Sequence, residues 1–373
     1  MIVFLFAAFL LSYIYAGYPL VLLFLSRKSK TQPAPPPVIQ PPFLSLLIPV
    51  YNEEKAIAAK VENALGLDYP RERYEVVVVS DGSSDGTVRI VESFLSRGVR
   101  LIDLHEHRGK MAALNHALPS LKGEIVVFTD VTAIFEIQAL RLLANAFADP
   151  KVGAASGELI LKEESTPGAE IRVDYYWRLE KFIRRSEGSI SSCAGATGAI
   201  YAIRRGLYRP LPEDSLLDDL LLPLEVVRRG YRVVFVEQAR AHEDKFTDLH
   251  MEFRRKVRTL AGNYQTFRRE WWSLVPGRSP IAFFLISHKL LRLVSPFLLL
   301  LLLGSSAAGA GALKVFFAIQ LIFYLTAAWG WFEIRTGRKK SKIAAAPLAF
   351  VLLNAAALKA FVVACLLRRL PSW

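Results

Sequence analysis

The sequence predicts an α/β domain, built on a mostly parallel sheet with helices on both faces, plus an N-terminal transmembrane helix and about three C-terminal transmembrane helices. Three observations lead there. Strand-like apolar runs alternate with helix-like stretches from Phe43 to about Arg240, as in a chain that folds by βα repetition. Long apolar runs stand before and after that region. Hydrophobic residues make up 53% of the chain and the mean hydropathy is +0.29, too apolar for an ordinary soluble protein.

Ile2 to Leu25 are uncharged, and a helix of that length is about 36 Å long, enough to cross a hydrocarbon core of about 30 Å. Its basic residues, Arg27, Lys28 and Lys30, follow the run. The positive-inside rule therefore sets Met1 outside and residue 30 in the cytoplasm. Residues 1–26 are thus read as a transmembrane helix and 27–42, with "QPAPPPVIQPP", as a stiff Pro-rich cytoplasmic linker. Residues 43–245 form the α/β domain. Its strand-like runs are "FLSLLIPV", "YEVVVVS", "VRLIDL", "EIVVFTD", "GAASGELIL", "GAIYAIR" and "YRVVFV". Residues 246–289 are basic and aromatic with helical periodicity, as expected of interfacial helices where the domain meets a bilayer. Residues 290–373 carry apolar runs at about 290–303, 315–332 and 343–367. Lys359 lies inside the last of them. Four simple spans would place Arg368 and Arg369 outside, against the charge rule, so the side of the C-terminus stays open.

The net charge is +13, from 47 basic and 34 acidic residues. With apolar spans present, that balance favours anionic lipid or a phosphorylated substrate, and no nucleic-acid partner is expected. Cys193 and Cys365 give neither a metal spacing nor a disulfide framework.

Four turns carry the chemistry. "PVYNEE" follows the first strand. "SDGSSDGT" ends a buried valine strand in Asp81, with Gly82 and Gly86 permitting a tight turn and Asp85 placed to cap the next helix. Asp81 is either a turn residue or an acceptor for a base or ribose. "FTD" ends a strand in Asp130, at the carboxyl end where open α/β sheets bind ligands. "LDD" puts Asp218 and Asp219 at a helix start, as caps or as a general base. In "HRGKMAALN", Arg108 and Lys110 stand at a helix start that disfavours cations, a conflict a bound diphosphate would resolve.

Together with "GATGAIYAIRR", these turns resemble membrane-bound family 2 glycosyltransferases of the GT-A fold, the group of cellulose, hyaluronan and poly-N-acetylglucosamine synthases. The resemblance covers about residues 43–270. It implies that Pro49, Tyr51 and Glu53 border a uridine pocket and that Asp81 binds the uracil or ribose. It puts Lys110, Arg255 and Arg258 near the donor diphosphate and makes Asp130 the first carboxylate of a D-x-D metal motif. The loop Gly195, Ala196, Thr197 and Gly198 then lines the acceptor. Asp219 is the general base, with Asp218 beside it. Trp177 is expected to flank the acceptor. Two departures stand out. The D-x-D site reads Asp130-Val131-Thr132, without its second carboxylate, and the Q-x-x-R-W site has Arg255 and Thr259 in place of Gln and Trp. Mg²⁺ or Mn²⁺ is expected as cofactor, with His242 as a second ligand or an ordinary polar residue at a strand end. The expected reaction is inverting, non-processive transfer from a UDP-sugar to a hydroxyl of a glycan or lipid-linked glycan. The catalytic domain is expected on the cytoplasmic face of a bacterial-type plasma membrane. Two alternatives stand beside it: a polyprenyl-phosphate sugar transferase, and a catalytically degenerate protein that binds nucleotide sugar.

Overall fold

The structure, a computed structural model, describes residues 1–28, 40–162, 170–244, 249–336 and 341–366, without the side chains at 162, 170–177, 249 and 366. Most of the proline-rich linker lies outside these residues, as do Arg368 and Arg369.

Among the described residues, eight strands form one mixed sheet: β1 (Leu44–Val50), β2 (Tyr74–Asp81), β3 (Val99–Leu104), β4 (Ile125–Thr129), β5 (Ile134–Phe135), β6 (Val152–Lys162), β7 (Ile200–Arg204) and β8 (Arg232–Asp244). Their order across the sheet is β3-β2-β1-β4-β7-β6-β8-β5. The β3-β2-β1-β4 block and the β6–β8 pair are parallel, whereas β7 is antiparallel to both its neighbours and β5 to β8. The mostly parallel sheet expected from the sequence is therefore present, with an antiparallel insertion. The runs Leu46–Val50 of β1, Val76–Val79 of β2 and Ile125–Phe128 of β4 are apolar throughout because both faces are covered. Leu46, Ile48, Val76, Val78 and Val127 pack into one core, and Leu47, Val77, Val79, Val126 and Phe128 into the other.

Among the described residues, four helices are long and apolar enough to cross a membrane: Ile2–Lys28, Ala282–Ala308, Ala312–Arg335 and Lys342–Cys365. The second begins eight residues before the apolar run that marks it in the sequence. These helices dock on the sheet domain. Tyr18, Leu22, Phe284, Leu285 and Leu293 share the second core with the strands. The amphipathic helix Leu249–Arg269 packs Val257 and Ala261 against Ala356 and Ala360 of the last span. Lys359 lies 5.6 Å from the centre of the Phe253 ring, a cation–π contact that helps offset its place in an apolar run.

Two strand features were not legible. β5 has only two residues. β8 runs on to Asp244, because "EQARAHED" is polar on one side yet, after an irregularity, pairs with β6 from Arg240 to Asp244.

Candidate active site

The carboxyl ends of β1, β2 and β4 lie side by side, and their turns are tied together. Asn52, at φ +52, accepts from Ser84 N through Oδ1 (2.7 Å) and donates its backbone N–H to Ser83 Oγ (3.1 Å). Glu54 Oε2 accepts from Gly86 N (2.9 Å), while Asp85 accepts from the backbone N–H groups of Glu54 (3.1 Å) and Thr87 (3.0 Å). Burial and the nearby Asp85 raise the Glu53 carboxyl above its ordinary range. Pro49 lies in β1, in register with Val79.

Asp81 is wholly buried. Its carboxylate accepts from Arg108 N (3.0 Å) and Gly109 N (2.7 Å) and stands 2.8 Å from His107 Nδ1. In this structure it shapes the loop before the helix Lys110–Ala117. The loop sets the His107 ring on Tyr51, with centroids 3.8 Å apart. His107 is a site residue the sequence did not single out. Gly82 makes the arrangement possible. At φ +69, a Cβ there would lie 2.6 Å from His107 N. Gly82→Ala is therefore expected to destabilise the fold by about 1–3 kcal/mol through backbone strain. A thermal melt checks it.

Lys110 joins three motifs. Its ammonium donates to Asp130 Oδ1 (3.0 Å) and stands 3.3 Å from Asp218 Oδ1. Burial opposes its charge, but Asp130, Asp218 and Asp219 together raise the ammonium above its ordinary range. The cation at a helix start thus finds its counter-charge in carboxylates of the chain itself, without a diphosphate. Asp130 is held from below as well. The wholly buried Lys60 donates to Thr129 Oγ1 (2.7 Å) and to the Ala133 carbonyl, clamping the turn. Burial brings Lys60 down to about 7, against the pull of Asp130.

Asp218 and Asp219 open the helix Asp218–Arg228. Asp218 is buried and accepts from the Tyr201 hydroxyl at 2.6 Å. Asp219 is pushed up to about 6 by burial first and by Asp218 second, with Lys289, Lys110 and Arg184 pulling it down. The loop Gly195 to Gly198 lies on it: Ala196 N donates to the Asp219 carbonyl (2.7 Å), and a Cβ on Gly198 would stand 3.2 Å from Asp219 Oδ2. Thr197 is fixed by its N–H to Ser156 Oγ (2.9 Å) and by Arg184 on its hydroxyl. Arg258 feels the charges of Asp218, Asp130 and Asp219, and its buried Nε has no hydrogen-bond partner among the described residues. That orphaned donor suits an anionic ligand. Trp177 lies in the helix Glu170–Ile190, its side chain outside the described residues.

His242 does not join Asp130. Its Nε2 is 2.9 Å from Glu136 Oε1. Side chains alternate along a strand, so the next residue, Glu243, faces the other way. Glu243 is buried, accepts from the Thr132 hydroxyl (2.8 Å) and lies 3.8 Å from Arg255 Nη2. Burial raises its carboxyl, and Asp130 adds to the rise. The missing second carboxylate of the D-x-D turn therefore has a neighbour from β8. The described residues hold no group of three or more His, Cys, Asp or Glu arranged for a metal. The donors at this turn, two carboxylates and a hydroxyl, are the hard oxygens that Mg²⁺ and Mn²⁺ take.

The glycosyl transferase family 2 profile matches residues 45–209. A poly-beta-1,6-N-acetyl-D-glucosamine synthase of Staphylococcus aureus is 24% identical over 266 residues, 70% of this chain and 64% of the relative. The synthase of the same name from Staphylococcus epidermidis is 21% identical over 66% of this chain and 61% of its own. The chain thus spans less than two thirds of the length of these curated relatives. Among solved structures, a mannosyltransferase from Pyrobaculum calidifontis, in complex with GDP-Man and Mn²⁺, superposes with a TM-score of 0.73. It is 24% identical and covers 97% of this chain and 98% of its own, a likeness of fold.

Proposed function

We propose that this chain, a family 2 glycosyltransferase with four candidate membrane spans, moves a sugar from a UDP-sugar to an acceptor hydroxyl with inversion, at the cytoplasmic face of the membrane. One observation carries the reading. Three chain segments gather Asp130, Asp218 and Asp219 around the Lys110 ammonium, and the carboxylate at the acceptor loop is the one raised to about 6. A base must be ionised at working pH yet basic enough to accept a proton, and that value meets both needs.

Asp219 takes the hydroxyl proton as the acceptor oxygen attacks the anomeric carbon, and the bond to the diphosphate breaks on the opposite side. Lys110 and Arg258 neutralise the departing diphosphate. Asp218, held by Tyr201 and Lys110, keeps the ammonium in place. A bound divalent cation supplies Lewis-acid neutralisation of the same diphosphate, and Asp130 and Glu243, beside the Thr132 hydroxyl, are the residues that would hold it. The Mn²⁺ bound in the Pyrobaculum calidifontis structure supports a divalent ion. Asp130→Ala and Glu243→Gln are each expected to weaken Mn²⁺ binding to the UDP-loaded protein about tenfold or more, read by electron paramagnetic resonance. His242→Ala should leave it unchanged. Wild-type Mn²⁺ affinity in Glu243→Gln would remove that residue from the site.

UDP or GDP release from a panel of nucleotide sugars tests the reaction: release above background with UDP-GlcNAc or another UDP-sugar supports it, and release with GDP-Man alone overturns the donor. Non-processive transfer rests on Thr259, whose hydroxyl donates to the Arg255 carbonyl (3.0 Å) and offers a sugar no flat surface. Short products that lengthen in step are expected with excess donor. A few very long chains beside unused acceptor would overturn that.

A further inference from the structure

The segment that delivers Asp218 and Asp219 has no regular structure of its own. Between the short helix Arg205–Leu207 and the helix Asp218–Arg228 the chain forms neither helix nor strand. Leu217, the capping residue of the second helix, makes no side-chain cap. Such a segment must find partners for its backbone groups elsewhere. Two side-chain amides supply them. Asn115 Nδ2 donates to the Leu211 carbonyl (2.7 Å), and its Oδ1 accepts from Leu211 N (3.0 Å). The buried Gln265 repeats the pattern nearer the site. Its Oε1 accepts from Leu216 N (3.0 Å), and its Nε2 donates to the Asp214 carbonyl (2.7 Å).

Gln265 belongs to a stripe. Arg258, Gly262, Gln265 and Arg269 recur at helical spacing in the helix Leu249–Arg269 and so share one face. Arg258 lies under the charges of Asp218, Asp130 and Asp219. At Gly262 a Cβ would stand 2.5 Å from Leu217 Cγ, so helix and segment touch with no room for a side chain. Arg269 donates to Asp214 Oδ2 (2.5 Å) and to Ser215 Oγ (3.1 Å). Val257 and Ala261, on the adjoining face, pack on the last span. One helix, docked on the membrane part, thus carries both the arginine assigned above to the departing diphosphate and a clamp on the segment that leads to the base.

We propose that Gln265 is a positioning residue for the catalytic pair. Its two-point clamp on Asp214 and Leu216 sets where the start of the helix Asp218–Arg228 lies, and so where the Asp219 carboxylate meets the acceptor hydroxyl. Gln265 touches no reacting atom and acts through Asp219. The proposal rests on the general-base reading above.

The full chain in phosphatidylcholine nanodiscs is assayed by nucleotide release from the donor that wild type turns over. Gln265→Leu, similar in volume but without the amide, is expected to lower kcat about 10- to 100-fold, the scale set by a misplacement of about 1 Å, with UDP affinity by calorimetry kept. Gln265→Glu, which keeps an acceptor for Leu216 alone, should fall between. Wild-type kcat in either variant overturns the proposal, and so does a loss of UDP affinity as large as the loss of kcat. In the Asp219→Asn background Gln265→Leu should lower the rate no further, since the group it positions is gone. A further loss as large as in wild type would show a structural role and overturn it. Hydrogen exchange separates placement from folding without any turnover. Peptides within residues 211–221 should lose protection in Gln265→Leu while those of β1, β2 and β4 keep theirs. Loss throughout the domain, or no loss in 211–221, overturns the proposal. The base reading fails separately, by Asp219→Asn turning over near the wild-type rate whatever stands at 265.

Discussion

On the proposed reading, Asp219→Asn is expected to lower kcat by about 10²–10⁴-fold, the usual worth of a general base, while UDP affinity stays within a few-fold. The amide keeps the shape that Gly198 and Ala196 pack against but cannot take a proton. The pH profile gives an independent check. Burial and Asp218 raise the wild-type carboxyl to about 6 from an ordinary value of 3.8. Activity should therefore rise with pH through about 6, as the base ionises, and level off above it. Stability has the opposite sign. Between those two pH values the folded state holds a proton on Asp219 that the unfolded chain has released, so this group's contribution falls as pH rises through the window. Asp219→Asn should thus match or exceed wild type in Tm near neutral pH. Turnover near the wild-type rate with UDP binding intact would remove Asp219 from the base position, and a collapse of Tm would assign it a structural role.

The elements that read correctly from the sequence are those whose burial leaves a long periodic trace. The "VVVV" and "LLIPV" runs lie in strands covered on both faces, so an apolar run of four or five residues marks each. β8 was read only as far as Val236 because its outer half pairs with β6 while carrying polar side chains, and only the pairing shows it is a strand. The placement of His242 apart from Asp130 in this structure follows from the same fact. Once the segment is a strand, neighbours face opposite ways, and the carboxylate of Glu243 goes to Thr132 while the imidazole goes to Glu136. The start of the Ala282–Ala308 span was hidden for an electrostatic reason. His288 and Lys289 interrupt the apolar run, and the carboxylates that accept His288 come from a helix about a hundred residues earlier. No local pattern carries a partner that distant.

The candidate site divides along the same line. Asp130, Asp218 and Asp219 were legible because each stands at a strand end or helix start, where sequence marks the turn. Tyr201 and Lys60 were not, since each lies inside an element and acts through one hydroxyl or one ammonium delivered across the sheet. The cationic Lys110 was legible, but its partners were assigned to a ligand. The structure gives it two carboxylates first, so the site holds its geometry before any donor arrives.

Lys110→Met tests that preorganisation, and its effect should be large on both stability and rate. The ammonium is nearly buried, 11% exposed, between Asp130 and Asp218, with the Asp218 side chain 6% exposed. Methionine fills similar volume but leaves these carboxylates facing one another without a cation. Removing one partner of a fully buried pair costs about 3–5 kcal/mol, mostly the energy of the stranded charge; here only Asp218 is buried and water screens Asp130, 41% exposed, so the cost falls at or below the lower end of that range. Part of that cost is avoided if a carboxyl takes up a proton, and Asp219 is the one already raised. The acid limb of the rate profile should therefore move to higher pH in Lys110→Met, because a cation that held Asp219 down is gone. Lower stability should appear as a reduced Tm at neutral pH that partly recovers toward pH 5, where protonation relieves the repulsion. UDP binding should weaken too, since the diphosphate loses one of its positive neighbours. Lys110→Arg, which keeps the charge, should recover Tm more fully than rate, because a planar guanidinium does not reproduce two contacts made by a compact ammonium. A Lys110→Met protein with wild-type Tm and an unmoved acid limb would show that the carboxylates are held apart by other means and that Lys110 is peripheral to them.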